Sequence, residues 1–164
     1  MHKKMFIIGT VLFMTTAAKA GESEAERYIR EATIKVEFVI VKSTPSYAEA
    51  HRTALDASRR LGLKLDLRDL SPSENGGLSF PKASCEADGW TAPCYVARGR
   101  YDAGVYVSIE YSNAYSEFKP GLYLVIVASG RRGEAPTRKA LEKAKSVYPD
   151  AYAKVAGVYM GCMH

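Results

Sequence analysis

The sequence predicts an α+β domain. A strand-helix-strand unit occurs twice, the strands forming one antiparallel sheet with both helices on one face and a strand-containing segment inserted between the units. Three observations carry this. Strand-like runs recur at "IKVEFVIVK" (34–42), "LKLDLRDL" (63–70), "GLYLVIVASG" (121–130) and "AYAKVAGVYMG" (151–161). A helical pattern follows the first and the third. The two units also superpose without a gap at an offset of 86: Val39, Ile40 and Val41 fall on Val125, Ile126 and Val127, Ser43 on Ser129, and Arg52, Ala54 and Leu55 on Arg138, Ala140 and Leu141.

The chain opens on "MHKKMFIIGTVLFMTTAAKA". Lys3 and Lys4 precede an apolar run from Met5 to Met14, and Ala18-Lys19-Ala20 gives a small-x-small pattern. This predicts a secretory signal (1–20), cleaved before Gly21 and too short for a membrane span. The expected localisation is the periplasm. Net charge is +5 over the whole chain; Lys3, Lys4 and Lys19 lie in the signal, which has no acid, so residues 21–164 carry +2. That ordinary surface and the export signal argue against a nucleic-acid partner. After a polar leader (21–33), one domain is expected over 34–164.

The elements follow in order. Strand 34–42 is β-branched and partly alternating. In "PSYAEAHRTALDASRRLG" (45–62) Ser46 can cap a helix, Glu49 stands three residues on, and Gly62 can end it. Leu63, Leu65 and Leu67 alternate with Lys64, Asp66 and Arg68, which reads as a half-buried strand. The insertion (71–120) begins Ser-, Pro- and Gly-rich and loop-like, then alternates: Val105, Val107, Ile109 and Tyr111 point one way, Tyr106, Ser108, Glu110 and Ser112 the other. "YSNAYSEFKPG" then turns into strand 121–130, making a hairpin. Helix 133–150 carries Pro136 in its first turn and Pro149 after its end, and strand 151–161 closes the second unit.

Of the three cysteines, Cys85 and Cys94 flank "EADGWTAP", where Gly89 and Pro93 can turn the chain back. This pairing is favoured because a short loop closes most easily in an oxidising compartment. Cys162 lies in "GVYMGCMH" with Met160, Met163 and His164. Three readings stay open for it: apolar filler at a strand end, a disulfide, or a metal ligand set.

Two stretches, "EFVIVKSTPSYAEAHRTALDASRRLGLKLDL" and "GLYLVIVASGRRGEAPTRKALEKAKSVYPDAYAKV", resemble the SPOR (sporulation-related repeat) domain over about half of the mature chain. The repeated β-α-β unit likewise matches a ferredoxin-like sheet. The resemblance implies a peptidoglycan-binding module whose open sheet face contacts glycan. The chain departs from it in the 71–120 insertion, the cysteines, and a signal peptide in place of a tethering helix.

No enzyme is expected. Only His51 and His164 follow the signal, no nucleophile-elbow or Cys-protease signature accompanies them, and "SENGG" lies in coil rather than after a strand. No metal site and no cofactor are expected. The expected ligand-binding residues are Tyr106, Ser108 and Glu110 on the polar face of strand 105–112, rimmed by Tyr115, Phe118 and Trp90. The expected function is an exported, non-catalytic envelope protein that docks on peptidoglycan through a sheet face. The alternative is a periplasmic inhibitor or immunity protein that blocks a wall-degrading toxin.

Overall fold

The computed structural model describes residues 22–74 and 76–162. The signal segment 1–20, Met163 and His164 lie outside the described residues.

The leader is not irregular. Residues Glu24–Glu31 form α1, whose Ser23 hydroxyl accepts from the Glu26 N–H while the Glu26 carboxylate takes the Ser23 N–H. This reciprocal cap satisfies orphan donors without any core contact, and α1 buries none of its residues. Then come β1 (Thr33–Thr44), α2 (Tyr47–Leu61), β2 (Ser71–Pro72), β3 (Leu78–Ser79), α3 (Lys82–Ala87), β4 (Gly104–Tyr111), a 3₁₀ turn, β5 (Tyr123–Gly130), α4 (Ala135–Val147) and β6 (Tyr152–Tyr159). Four strands form the main sheet in the order β4-β5-β1-β6, every neighbouring pair antiparallel. The small β2–β3 hairpin stands apart. Among the described residues no helix is long and apolar enough to cross a membrane.

The expected helix caps are present. The Ser46 hydroxyl accepts from the Glu49 N–H at 3.3 Å, and Gly62 ends α2 at φ 59°, a left-handed conformation cheap only for glycine. The Glu49 carboxylate turns instead to Lys42 and Thr44.

Residues 63–70 do not form the expected strand. They meet the sheet at one parallel bridge, Leu65 to Val107, with the Val107 N–H donating to the Lys64 carbonyl and the Asp66 N–H to the Val107 carbonyl, both at 2.8 Å. Leu63, Leu65 and Leu67 rest on the rim of the helix-side core, and positive φ at Arg68 and Asp69 then turns the chain away. The same alternation thus serves a segment lying along the core edge. The strand that follows α2 into the sheet is β4.

Each face of the sheet carries a core. On one, Val39, Val41, Val107, Ile109, Val125 and Val127 meet Ala50, Ala54, Ala57 and Leu61 of α2 and Ala140 and Ala144 of α4. The alanines let both helices lie close to the sheet. On the other, Val36, Phe38, Ile40, Leu124, Ile126, Ala156 and Val158 lie beneath Tyr115 and Phe118. Burying Phe38 fully contributes roughly 1.5–3 kcal/mol. All eight residues of β5 are buried, which explains its near-continuous apolar run. Val105, expected in the core, is exposed near the start of β4, where the pairing with β5 shifts register.

Cys85 and Cys94 are bonded, as expected, with Cα atoms 5.9 Å apart. Cys162 is an exposed free thiol just beyond β6, whereas Met160 packs on the second core.

Candidate functional site

The polar face of β4 points away from α2 and α4, but most of it is covered. Ser108, Glu110 and Tyr115 are buried, Phe118 nearly so, and Tyr106 is half-buried. Two segments seal the face. The β4–β5 connection (112–122) folds back and packs Tyr115 and Phe118 edge-on against Phe38. The run from Cys94 to Ala103 crosses beside them. Gly99, at φ 92°, lets that run press on the sheet: a Cβ there would stand 3.2 Å from a Val36 methyl.

The chain supplies the polar partners that a ligand was expected to supply. Glu110 accepts from Arg68 Nη1 at 2.9 Å, Ser108 Oγ at 2.7 Å and Tyr115 Oη at 3.3 Å, and also from the Tyr95 hydroxyl. Arg68 bridges to Asp102 Oδ2 at 2.8 Å. Arg98, fully buried, donates to Ser129 Oγ, Ser108 Oγ and the carbonyls of Tyr106, Ile126 and Gly104 at 2.8–3.2 Å. Its guanidinium lies 3.6 Å from the Tyr106 ring centroid, and the Tyr106 hydroxyl donates to Asp102 at 2.9 Å. Arg98 thus reaches a carboxylate through the Ser108 hydroxyl, which accepts from Arg98 and donates to Glu110.

The electrostatics follow from this arrangement. Burial holds the Arg98 guanidinium below its ordinary value. Burial also opposes the charge of Arg68, but Glu110 and Asp102 outweigh it and raise that guanidinium above its usual range. Burial first, then the Glu110 charge, push the Tyr95 and Tyr115 phenols far up. Two arginines face two carboxylates, so the cluster balances. Three of the donors to Glu110, from Arg68, Tyr95 and Tyr115, converge on Oε2, and Ser108 takes Oε1.

The expected binding residues therefore divide. Ser108, Glu110, Tyr115 and Phe118 do come together in a closed interior, with Tyr106 half-buried at its margin. Trp90 sits apart on the disulfide loop, half-buried, its backbone N–H donating to the Cys85 carbonyl. Sequence reasoning missed Arg68, Tyr95, Arg98 and Asp102. The available signal was charge: a glutamate on a strand between two apolar neighbours needs a cation, and "YVARGRYD" offers two arginines just upstream.

The tip of the 112–122 connection reaches the far edge of the sheet. There the Glu117 carboxylate takes the Gly157 N–H at 2.6 Å, the Ser116 hydroxyl at 2.6 Å and the Lys35 ammonium. Burial raises its pKa, but these three donors together overcome that and bring it down from 4.5 to about 2. A depressed carboxylate stabilises the fold above its unfolded value and loses that contribution as pH falls towards its folded value. The stability gap between the native chain and Glu117→Gln should therefore be constant at neutral pH and narrow between pH 4.5 and about 2. Urea titrations at stepped pH check this; a gap independent of pH would show that the clamp is not electrostatic.

Among the described residues no cluster of three or more His, Cys, Asp or Glu side chains could hold a metal ion. Comparison with protein-family models, with curated proteins and with solved structures finds no match to this chain.

Proposed function

We propose that this chain is an exported binding protein of the cell envelope that docks on a protein partner, in the manner of a periplasmic inhibitor. The observation that carries this reading is the sealed sheet face. A glycan strand lying on it would have to displace 94–103 and 112–122 and replace the partners of Arg98 and Glu110 in the interior, where each lost partner is costly. The Cys85–Cys94 bond suits an oxidising compartment and supports export through the 1–20 signal. The interleaved order of strands from two strand-helix-strand units supports a ferredoxin-like duplication, and a SPOR-like ancestry fits that architecture with its glycan face closed over.

Purified residues 21–164 mixed with peptidoglycan sacculi and sedimented give the test. The chain should remain in the supernatant. Saturable pelleting with sacculi would overturn the protein-docking reading and restore the glycan-binding alternative.

A further inference from the structure

We propose that the open edge of β6 is a docking site for an extended, acidic segment of a partner protein, which would add a fifth strand to the sheet. The two edges of the sheet differ. At the β4 edge, Val107 is already paired with Lys64 and Asp66, and the Tyr111 N–H donates to the Tyr95 hydroxyl. β6 pairs with β1 alone. Its register sets which groups face outward. The Met160 N–H bonds to the Ala32 carbonyl, so Val158, Ala156 and Lys154 face β1 through their backbone groups, and Tyr159, Gly157, Val155 and Ala153 face away. Two of these outward groups are used: the Gly157 N–H by Glu117 and the Tyr159 carbonyl by Arg100 Nη1 at 2.7 Å. Among the described residues the N–H and carbonyl groups of Ala153 and Val155, both half-buried, have no partner, leaving an unpaired ladder of the kind that strand addition uses.

Charge selects the occupant. Lys154 lies on the edge strand with its ammonium 4.9 Å from the Phe118 ring centroid, outside every ion pair among the described residues. Arg100 stands at the other end, bound to the carbonyls of Tyr159 and Gly161. Glu117 shows the chemistry in miniature: a carboxylate seated on this edge by a strand N–H and a lysine. A second copy fits less well, since antiparallel pairing about Val155 would set the two Lys154 side chains on one face as diagonal neighbours, about 7–8 Å apart.

This rests on the protein-docking reading, and the two fail separately. Pelleting with sacculi sinks that reading, whereas the edge is tested by a peptide. The probe is a fluorescein-labelled, acetylated peptide of about nine alternating valine and glutamate residues, a natural strand length, followed by anisotropy. Saturable binding is expected. Val155→Pro removes an N–H that points away from β1, so the variant should fold and bind about tenfold more weakly, the loss of one ladder bond. Lys154→Glu should weaken this peptide and favour its lysine-for-glutamate counterpart, and this charge swap stands even if Val155→Pro does not fold. Absence of saturable binding, equal binding by a folded Val155→Pro chain, or failure of the charge swap would each overturn the proposal. So would a dimer seen by light scattering that either variant dissociates, which would assign the edge to a second copy.

Discussion

Glu110→Ala should destabilise the fold by about 3–5 kcal/mol, the range for removing one partner of a buried ion pair. Glu110 is wholly buried and is the acceptor on which Arg68, Ser108, Tyr95 and Tyr115 converge. Truncation leaves Arg68 with Asp102 as its one carboxylate, beside the Val96 carbonyl, and cuts Arg98 off from the carboxylate it reaches through Ser108. Against a typical total of about 5–15 kcal/mol, this is a large share. Urea unfolding gives the number. Glu110→Gln should cost less, because its amide oxygen can still accept from Tyr95 or Arg68. A change below about 1 kcal/mol for Glu110→Ala, the size of an ordinary surface effect, would mean that water reaches the face.

The second large effect is expected on breaking the Cys85–Cys94 bond. The cysteines are nine residues apart, and closing a loop of that size contributes about 2–3 kcal/mol through the unfolded chain. The bond also anchors the start of the covering segment: the Phe80 N–H donates to the Cys94 carbonyl at 2.9 Å, and the Cys94 N–H to Ser79 Oγ at 3.1 Å. Cys85→Ser with Cys94→Ser should lower the urea midpoint by a corresponding amount, and dithiothreitol should do the same to the native chain. An unchanged midpoint under reducing conditions would show that packing of 79–96 alone holds the cover in place.

The elements legible in the sequence were those whose periodicity has one structural solution. β1, α2, β5, α4 and β6 each combine a clear period with caps or breakers at their ends. Residues 63–70 misled because Leu63, Leu65 and Leu67 alternate identically whether the segment pairs in a sheet or lies along a core edge, and positive φ at Arg68 and Asp69 leaves no glycine to mark the turn. α1 was read as a polar leader because nothing in it is buried; only Ser23 and Glu26, three apart, announced it. The site was legible in its membership and not in its environment. Alternation correctly put Tyr106, Ser108 and Glu110 on the face away from the helices. It cannot say whether such a face meets water or another stretch of the same chain. That depends on Arg98 and Arg68, the latter 42 positions from Glu110, and on Gly99 allowing the cover to lie flat.

The closed face is tested most directly by the guanidinium protons of Arg98, followed by proton–nitrogen NMR on the folded chain at neutral pH. A sealed interior predicts a sharp Arg98 Nε–H signal that exchanges with water only through unfolding, beside an Arg59 signal, from a side chain 79% exposed, lost to rapid exchange. If the Arg98 signal exchanges as fast as that of Arg59, the face is open to solvent, and the sheet returns as a surface for glycan.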